Sequence, residues 1–211
     1  TRPLLAAYGI PVIKGGLAKS PVAAASLAGE IGFPVAMKIV SEQILHKSDM
    51  GGIRLGLQNE NEVITAFETM FTEIGKNAPQ AKLDGVLIEQ MAGQGQEVII
   101  GIRRDPGFGP VIMFGLGGVS VELFKDVSFR VAPVSNEEAL EMIHETRAGR
   151  LLSGYRGQPE ADLESVVDCI RRMAQLALDF PQIEEAEINP LLVFPRGEGA
   201  LVLDGRILLN A

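Results

Sequence analysis

Three polar side chains near the end of the chain have the types and the spacing of a magnesium site. Glu187 and Asn189 are two residues apart in an apolar run, so on a strand they point to the same face. The turn 195–199 can fold the following run back beside the first and bring Asp204 near both. Carboxylate and amide oxygens are hard ligands that suit Mg²⁺ when nucleotide phosphates also hold it. The alternative is a hairpin with polar residues on its solvent-exposed face.

A lysine within an apolar strand and a histidine in a glycine-containing loop could both handle phosphate. Met37 and Ile39 would face the core, which leaves Lys38 over a cleft, where its charge could hold nucleotide phosphates. An edge-strand lysine that discourages aggregation is the alternative for this position. The imidazole of His46 could accept a phosphoryl group, and the two glycines downstream would allow close approach or movement. An ordinary solvated turn is the alternative for this loop.

Two strand ends could bind the rest of a nucleotide. Gly117 and Gly118 follow an apolar strand, and a glycine-rich turn there can present backbone N–H groups to phosphate. This turn is not a Walker loop, because no Gly-Lys-Ser/Thr follows, and its glycine spacing does not fit a dinucleotide fingerprint. The strand 85–90 ends in polar residues beside Met91, which suits an adenine slot, and Glu97 could accept from ribose hydroxyls. For the stretch that ends at Met91, a strand end followed by a loop is the alternative.

Composition limits the class of protein. The 211 residues are 46% hydrophobic, enough for one large domain or two small lobes, yet no apolar run has the length of a membrane span. A single cysteine, Cys169, predicts a reducing, cytoplasmic environment. A net charge of −8, with no Trp and two Tyr, argues against nucleic acid as a partner. Because the chain starts at Thr1 in what reads as the end of a helix, capped by Gly9, we expect a piece of a larger protein.

The elements that must position these groups mix helix and strand signals without a repeat. Capping residues and periodic apolar positions predict helices over 22–31, 59–75, 135–144 and 162–179. Short apolar or alternating runs predict strands over 34–40, 52–57, 85–90, 97–103, 111–114 and 129–134. Residues 147–159, rich in Gly and Arg, are typical of a loop or a broken helix. The order predicts an α+β fold with hairpins rather than strict βαβ alternation.

Five segments together resemble one family, and they occur in the order of that family. They are Val35-Ala36-Met37-Lys38, His46-Lys47-Ser48-Asp49-Met50-Gly51-Gly52, residues 109–118, Lys125-Asp126-Val127-Ser128-Phe129-Arg130 and Glu187-Ile188-Asn189-Pro190-Leu191. On these segments the chain is similar to the ATP-grasp module of the NDP-forming acyl-CoA synthetases, the family of the ADP-forming acetate–CoA ligases. Succinyl-CoA synthetase β subunits are more distant relatives. The resemblance covers nearly the whole chain, from Leu4 to Ile207.

The resemblance implies a fold, a reaction and partners. The fold would be an ATP-grasp fold with two α+β lobes that clasp ATP, the smaller over 18–90 and the larger over 1–17 and 91–211. The reaction would convert acid, CoA and ATP reversibly into acyl-CoA, ADP and phosphate, through an acyl phosphate and a phosphohistidine relay. The cofactors would be ATP or ADP and Mg²⁺. The CoA-binding and ligase domains of the family, absent from this chain, would be partners within a hetero- or homo-oligomer.

Matched by position, the resemblance also implies roles for particular residues. His46 would carry phosphate toward the acyl site. The metal ligands would be Glu187, Asn189 and Asp204. The nucleotide would be held by Lys38 at the phosphates, by Glu89, Gln90 and Met91 beside adenine, by Glu97 at the ribose, and by Glu122 and Arg130 near the γ-phosphate. One departure is Gly205, which follows the metal aspartate where the family usually has Ala.

Two other functions are compatible with the same segments. A regulatory nucleotide-sensing domain, fused to an acetyltransferase and no longer catalytic, is the first alternative. An ATP-grasp carboxylate–amine ligase is the second. Because His46 and the expected metal ligands are all present, we favour an intact synthetase module.

Overall fold

The computed structural model describes residues 1–41, 43–44, 50–118 and 126–210, which divide into two compact units. The smaller unit is Ile13–Ala92, and the larger combines Thr1–Val12 with Gly93–Ala211. The lobe bounds of 18–90 expected from the sequence stay a prediction. His46 and Glu122 lie outside the described residues. Within the described ranges, no helix has both the length and the apolar character needed to cross a membrane.

Six helices and ten strands are described, and they are numbered here in chain order. They are α1 (Arg2–Ala7), β1 (Gly15–Ala18), α2 (Pro21–Ile31), β2 (Val35–Val40), β3 (Ile53–Leu57), α3 (Glu60–Asn77), β4 (Gly85–Gln90), β5 (Gln96–Asp105), β6 (Gly109–Leu116), β7 (Val127–Val131), α4 (Asn136–His144), α5 (Arg147–Leu152), α6 (Leu163–Asp179), β8 (Ile183–Val193), β9 (Ala200–Val202) and β10 (Gly205–Leu209). Mixed helices and antiparallel hairpins confirm the α+β expectation.

The smaller unit is a four-stranded antiparallel sheet, in the order β1-β4-β2-β3, with α2 and α3 on one face. Both helices begin at a polar cap, because the side chains of Ser20 and Asn59 accept hydrogen bonds from the backbone N–H groups of Ala23 and Glu62. Met37 and Ile39 are fully buried in the core beneath the helices, as the alternation predicted. The side chain of Lys38 therefore lies on the opposite face of β2.

The larger unit is an antiparallel sheet in the order β10-β8-β5-β6-β7, and β9 pairs with β8. One face of the sheet carries Ile100, Phe114 and Ile188, which share a buried core with Met142 of α4 and Ile170 of α6. Burial of such large side chains is the main favourable contribution to the stability of this unit. The opposite face carries the polar residues of the candidate site, because side chains alternate along a strand.

Helix α1 belongs to the larger unit although the whole smaller unit, Ile13–Ala92, separates it in sequence from most of that unit. Arg2 Nη2 donates to the carbonyl oxygen of Leu203 at 3.0 Å, and the Val202 N–H donates to the Pro11 carbonyl at 2.8 Å. The Tyr8 hydroxyl donates to Asp179 at 2.5 Å, a contact that raises the pKa of Tyr8 to about 12. The first residues are thus tied to the end of the chain.

Strand β7 differs from the sequence prediction, and residues 147–159 follow one of the two predicted alternatives. Strand β7 runs from Val127 to Val131 rather than over 129–134, because Ser128 is buried and its hydroxyl donates to the Met142 carbonyl at 2.8 Å. Pro133 has no N–H to donate to a ladder, which limits the strand on its other side. Residues 147–159 contain the short helix α5, capped by the side chain of Thr146, and then a loop, so the broken-helix alternative is confirmed.

Candidate functional site

A hairpin and its neighbouring strand place Glu187, Asn189 and Asp204 together. The turn 195–199 folds β9 back on β8, as the sequence predicted, and β10 then pairs with β8 on the same side. The N–H of Asn189 donates to the backbone carbonyl of Asp204 at 3.1 Å, which fixes the two segments next to each other. The three side chains line one pocket of about 310 Å³, together with Gly205 and Arg206.

The hairpin is held by Asp162, the residue that caps α6. Its Oδ2 accepts from the N–H groups of Gly197 at 3.0 Å and Gly199 at 2.9 Å, and its Oδ1 accepts from Ser165 at 3.1 Å. Desolvation alone would raise the pKa of Asp162, but the hydrogen bonds from Ser165, Gly199 and Gly197 outweigh it and hold the pKa below its usual value. One ionised carboxylate therefore joins the turn of the hairpin to the start of a helix.

The donor set of this pocket fits a hard cation such as Mg²⁺. It offers two carboxylates and one amide oxygen, and Mg²⁺ is usually held by one or two carboxylates plus substrate phosphates. Among the described residues no three His, Cys, Asp or Glu side chains cluster as a metal site, because one of the three expected ligands is Asn189. The oxygen of that amide accepts from the Gly118 N–H at 2.9 Å, which orients it and leaves a second lone pair for a ligand.

Gly117 and Gly118 lie between the candidate metal ligands and Glu97. The N–H of Gly117 donates to the backbone carbonyl of Glu97 at 2.9 Å. Gly118 has a φ of 62°, and a Cβ placed on it would lie 2.5 Å from Glu97 Oε2, so the carboxylate and the backbone approach as only glycine allows. Both N–H groups, which we expected to face phosphate, are engaged within the unit in this structure.

The carboxylate of Glu97 opens onto a second and larger pocket. This pocket has a volume of about 610 Å³, and its walls include Leu192 and Phe194 from β8 and the segment after it. Glu97 pairs directly with Leu192 across β5 and β8, so the two side chains share a face of the sheet. At the rim, Gln96 Nε2 donates to Gln158 Oε1 at 2.8 Å. An apolar floor with a carboxylate and amides at its edge suits a nucleoside.

In the smaller unit the structure joins two residues to which the sequence analysis gave separate roles. Lys38 Nζ lies 2.6 Å from Glu89 Oε2, and the carboxylate is only 1% exposed while the lysine is 28% exposed. Glu89 therefore faces Lys38 rather than solvent. Gln90 is exposed at the end of β4, Met91 is half-buried, and the N–H of Gln90 donates to the Lys14 carbonyl at 2.9 Å.

Arg130 is not brought beside the candidate metal ligands. It pairs with Ile112 across β7 and β6 and so lies on the helix-covered face of the sheet, whereas Glu187 shares its row with Phe129 on the other face. The guanidinium of Arg130 donates two hydrogen bonds to Glu145, at 2.7 and 3.1 Å. These bonds raise the pKa of Arg130 and lower the pKa of Glu145. Its expected role near a γ-phosphate stays a prediction.

Arg206 is a site residue that the sequence did not predict. It pairs directly with Glu187 across β10 and β8, and it lines the pocket of the three candidate ligands. The available signal was its position two residues after Asp204, but the register of β10 against β8 was needed to place Arg206 beside Glu187.

Comparison with known proteins finds close relatives over the whole chain. A family model described as ATP-grasp domain matches residues 1–209. The beta subunit of ADP-forming acetate–CoA ligase I from Pyrococcus furiosus is 46% identical over 206 residues, which is 98% of this chain and 88% of that subunit. The ADP-forming 4-hydroxybutyrate–CoA ligase of Nitrosopumilus maritimus is 47% identical over 204 residues, which is 97% of this chain but only 29% of that protein.

Solved structures of one enzyme are similar to the same extent. Dinucleotide forming acetyl-coenzyme A synthetase 1 of Ca. Korarchaeum cryptofilum, in complex with coenzyme A, Ca-AMPCP and HgCl+, is 45% identical with a TM-score of 0.91, covering 99% of this chain and 90% of that chain. A second complex of that synthetase, with coenzyme A and Mg-AMPPCP, has a TM-score of 0.86 at 42% identity and the same coverage. Its phosphohistidine segment points towards the nucleotide binding site.

Proposed function

The chain belongs to the ATP-grasp domain family, as the ATP-grasp module of the NDP-forming acyl-CoA synthetases, and we propose that it holds the Mg-nucleotide of such an enzyme. The enzyme would convert acid, CoA and ATP reversibly into acyl-CoA, ADP and phosphate. The observation that carries this proposal is the single pocket lined by Glu187, Asn189 and Asp204, a hard-oxygen set on a hairpin that Asp162 holds in place. The Korarchaeum relative, which binds Mg-AMPPCP, supports it.

We assign the phosphate end of the nucleotide to this pocket. Glu187, Asn189 and Asp204 would hold Mg²⁺, which would neutralise phosphate charge and align the transferred group. Two other residues of the chain would keep these ligands in position. Gly118 orients the amide oxygen of Asn189, and Asp162 keeps the hairpin closed so that the ligands stay together.

We assign the nucleoside end to the neighbouring pocket that contains Glu97 and Leu192. The carboxylate would accept hydrogen bonds from ribose hydroxyls, while the apolar side chain would pack against the base. Gly118 lies beside the Glu97 carboxylate and donates to the amide oxygen of Asn189, so one residue connects a wall residue of each pocket. For Lys38 we keep the role at the nucleotide phosphates that the sequence match implies.

We further propose that His46 carries the phosphoryl group. An imidazole nitrogen would form a bond to the γ-phosphorus while the bond from that phosphorus to the β–γ bridging oxygen breaks, which leaves ADP. The support is the sequence match and the phosphohistidine segment of the Korarchaeum synthetase. The chain spans 88% of a beta subunit but 29% of a single-chain relative, so acid and CoA would bind in another subunit or domain.

Calorimetry with Mg-ADP tests the metal assignment. The Asp204→Asn substitution should weaken Mg-ADP binding by roughly ten- to a hundredfold, because a charged ligand of the cation is replaced by a neutral one. Glu198→Gln is the matched control, since Glu198 is exposed in the turn of the same hairpin and does not line the pocket. Equal affinity of Asp204→Asn and the parent chain would show that the metal lies elsewhere.

A further inference from the structure

Among the described residues that line the candidate metal pocket, Arg206 is the only cation. Within the described part of the chain, that pocket is formed by Glu187, Asn189, Asp204, Gly205 and Arg206. Arg206 pairs directly with Glu187 across β10 and β8, so the two side chains project from the same face of the sheet. This face is the one opposite the helices. The register of β10 against β8 therefore places the guanidinium beside the candidate ligands.

The contacts of Arg206 in this structure are weak. Its Nη2 lies 4.0 Å from Glu185 Oε2, at the limit of an ion pair, and the side chain is 74% exposed. The same Glu185 carboxylate lies 3.8 Å from Arg103, so two arginines share one partner. Exposed pairs of this length contribute little to stability, so structural need does not account for a guanidinium at this point. Little would be lost if Arg206 turned from Glu185 toward a ligand.

A bound nucleotide would bring negative charge that the guanidinium of Arg206 can bind. Mg²⁺ between Glu187 and Asp204 would balance the two carboxylates, and the phosphates of ATP would then bring up to four further negative charges to the pocket. The terminal phosphate carries the largest share of these and is the group that is transferred. A guanidinium fork matches the oxygens of a phosphate with two parallel hydrogen bonds, and it stays charged at any working pH.

We propose that Arg206 binds the terminal phosphate of the nucleotide and so distinguishes ATP from ADP. This inference rests on the proposed function, since it takes the pocket to be the phosphate end of the nucleotide site. The competing role for Arg206 is to balance Glu185 and Glu187 in the sheet without touching a ligand. In that role Arg206 would affect ATP and ADP alike, so the ratio of the two affinities separates the roles.

The test measures the affinity of the whole chain for Mg-AMPPCP, a non-hydrolysable ATP analogue, and for Mg-ADP by calorimetry. Arg206→Gln should weaken Mg-AMPPCP binding about tenfold and change Mg-ADP binding less than twofold, because only the first ligand has a γ-phosphate. Arg206→Lys should lose less, since the charge stays while the fork is gone. Arg103→Gln removes the other arginine beside Glu185 and should leave both affinities unchanged.

Three outcomes would overturn the inference. An equal loss of both affinities in Arg206→Gln would indicate the balancing role, and no loss of either would remove Arg206 from the site. The retained binding of Mg-ADP shows at the same time that the variant is folded. If the parent chain binds neither nucleotide, the proposed function itself fails, and this inference fails with it.

Discussion

Lys38 Nζ and Glu89 Oε2 lie 2.6 Å apart on one face of the smaller sheet, and the carboxylate of the pair is almost completely buried. The lysine that we assign to nucleotide phosphates is thus held in place by a buried anion. Because Lys38 is 28% exposed, its charge can still reach a ligand. The two residues are diagonal neighbours on adjacent strands, since Lys38 pairs with Leu87 and Glu89 pairs with Ala36.

The first prediction concerns this ion pair. Lys38→Met should lower the free energy of unfolding by about 1–3 kcal/mol, because it removes a positive charge that lies 2.6 Å from a buried carboxylate. Adding Glu89→Gln to that variant should restore part of the loss. Lys82→Met, which removes an exposed lysine of a surface pair with Asp84, should have almost no effect. Urea unfolding at neutral pH measures all three, and equal losses in Lys38→Met and Lys82→Met would contradict the prediction.

The second prediction concerns Gly118. Gly118→Ala should lower the free energy of unfolding by about 1–3 kcal/mol and weaken Mg-ADP binding, because the added Cβ meets Glu97 at a residue with positive φ. Gly109→Ala is the matched control, because Gly109 has a φ of 78° but nothing near its Cβ position. The Gly109→Ala variant should lose stability through backbone strain but bind Mg-ADP as tightly as the parent chain. Unchanged Mg-ADP binding in Gly118→Ala would show that Gly118 does not support the nucleotide site.

The third prediction is a pH dependence that comes from Asp162. Its folded pKa is lowered, so its contribution to stability is complete above the unfolded pKa of about 3.9 and is lost as pH falls through the folded pKa. Asp162→Asn should destabilise the chain by about 1–3 kcal/mol at pH 7 and lose less stability than the parent between pH 5 and acid conditions. Urea midpoints across that range are the measurement. Parallel pH curves for the two proteins would contradict the assignment.

The fourth prediction is that this chain alone makes no acyl-CoA from acid, CoA and ATP. The reason is the proposed location of the acid and CoA sites in other parts of the enzyme, as the length of the single-chain relative suggests. Chromatography of CoA thioesters provides the assay, and adding the partner subunit of the enzyme should start turnover. Acyl-CoA made by the chain on its own would refute the proposal that acid and CoA bind in other parts of the enzyme.

Local patterns predicted much of the fold. The helix starts at Ser20, Ser135 and Asp162 were readable because a capping side chain acts on the next turn of its own helix. The hairpin that carries the candidate metal ligands was readable for a similar reason. Its two strands are joined by a short turn, so their pairing is decided within about twenty residues.

Contacts between distant segments could not be predicted. The pairing of Lys38 with Glu89 and the hydrogen bond from Gly118 to Asn189 join residues far apart in sequence, and the register of Arg206 opposite Glu187 depends on a strand, β10, that no local pattern marked. Only the arrangement of the sheet decides them. A polar residue that is buried with a hydrogen-bond partner also breaks the apolar pattern of a strand. Ser128 is an example, and the start of β7 was therefore predicted too late.

The ties between α1 and the end of the chain have a consequence for synthesis on the ribosome. The smaller unit is one continuous segment and can fold as soon as residue 92 has emerged. Arg2 and Pro11 are made before the smaller unit, yet their partners Leu203 and Val202 are made after most of the larger unit, so these early residues dock only once residue 203 has emerged. The larger unit can therefore reach its native form only after the stretch of chain that carries Asp204 has been made.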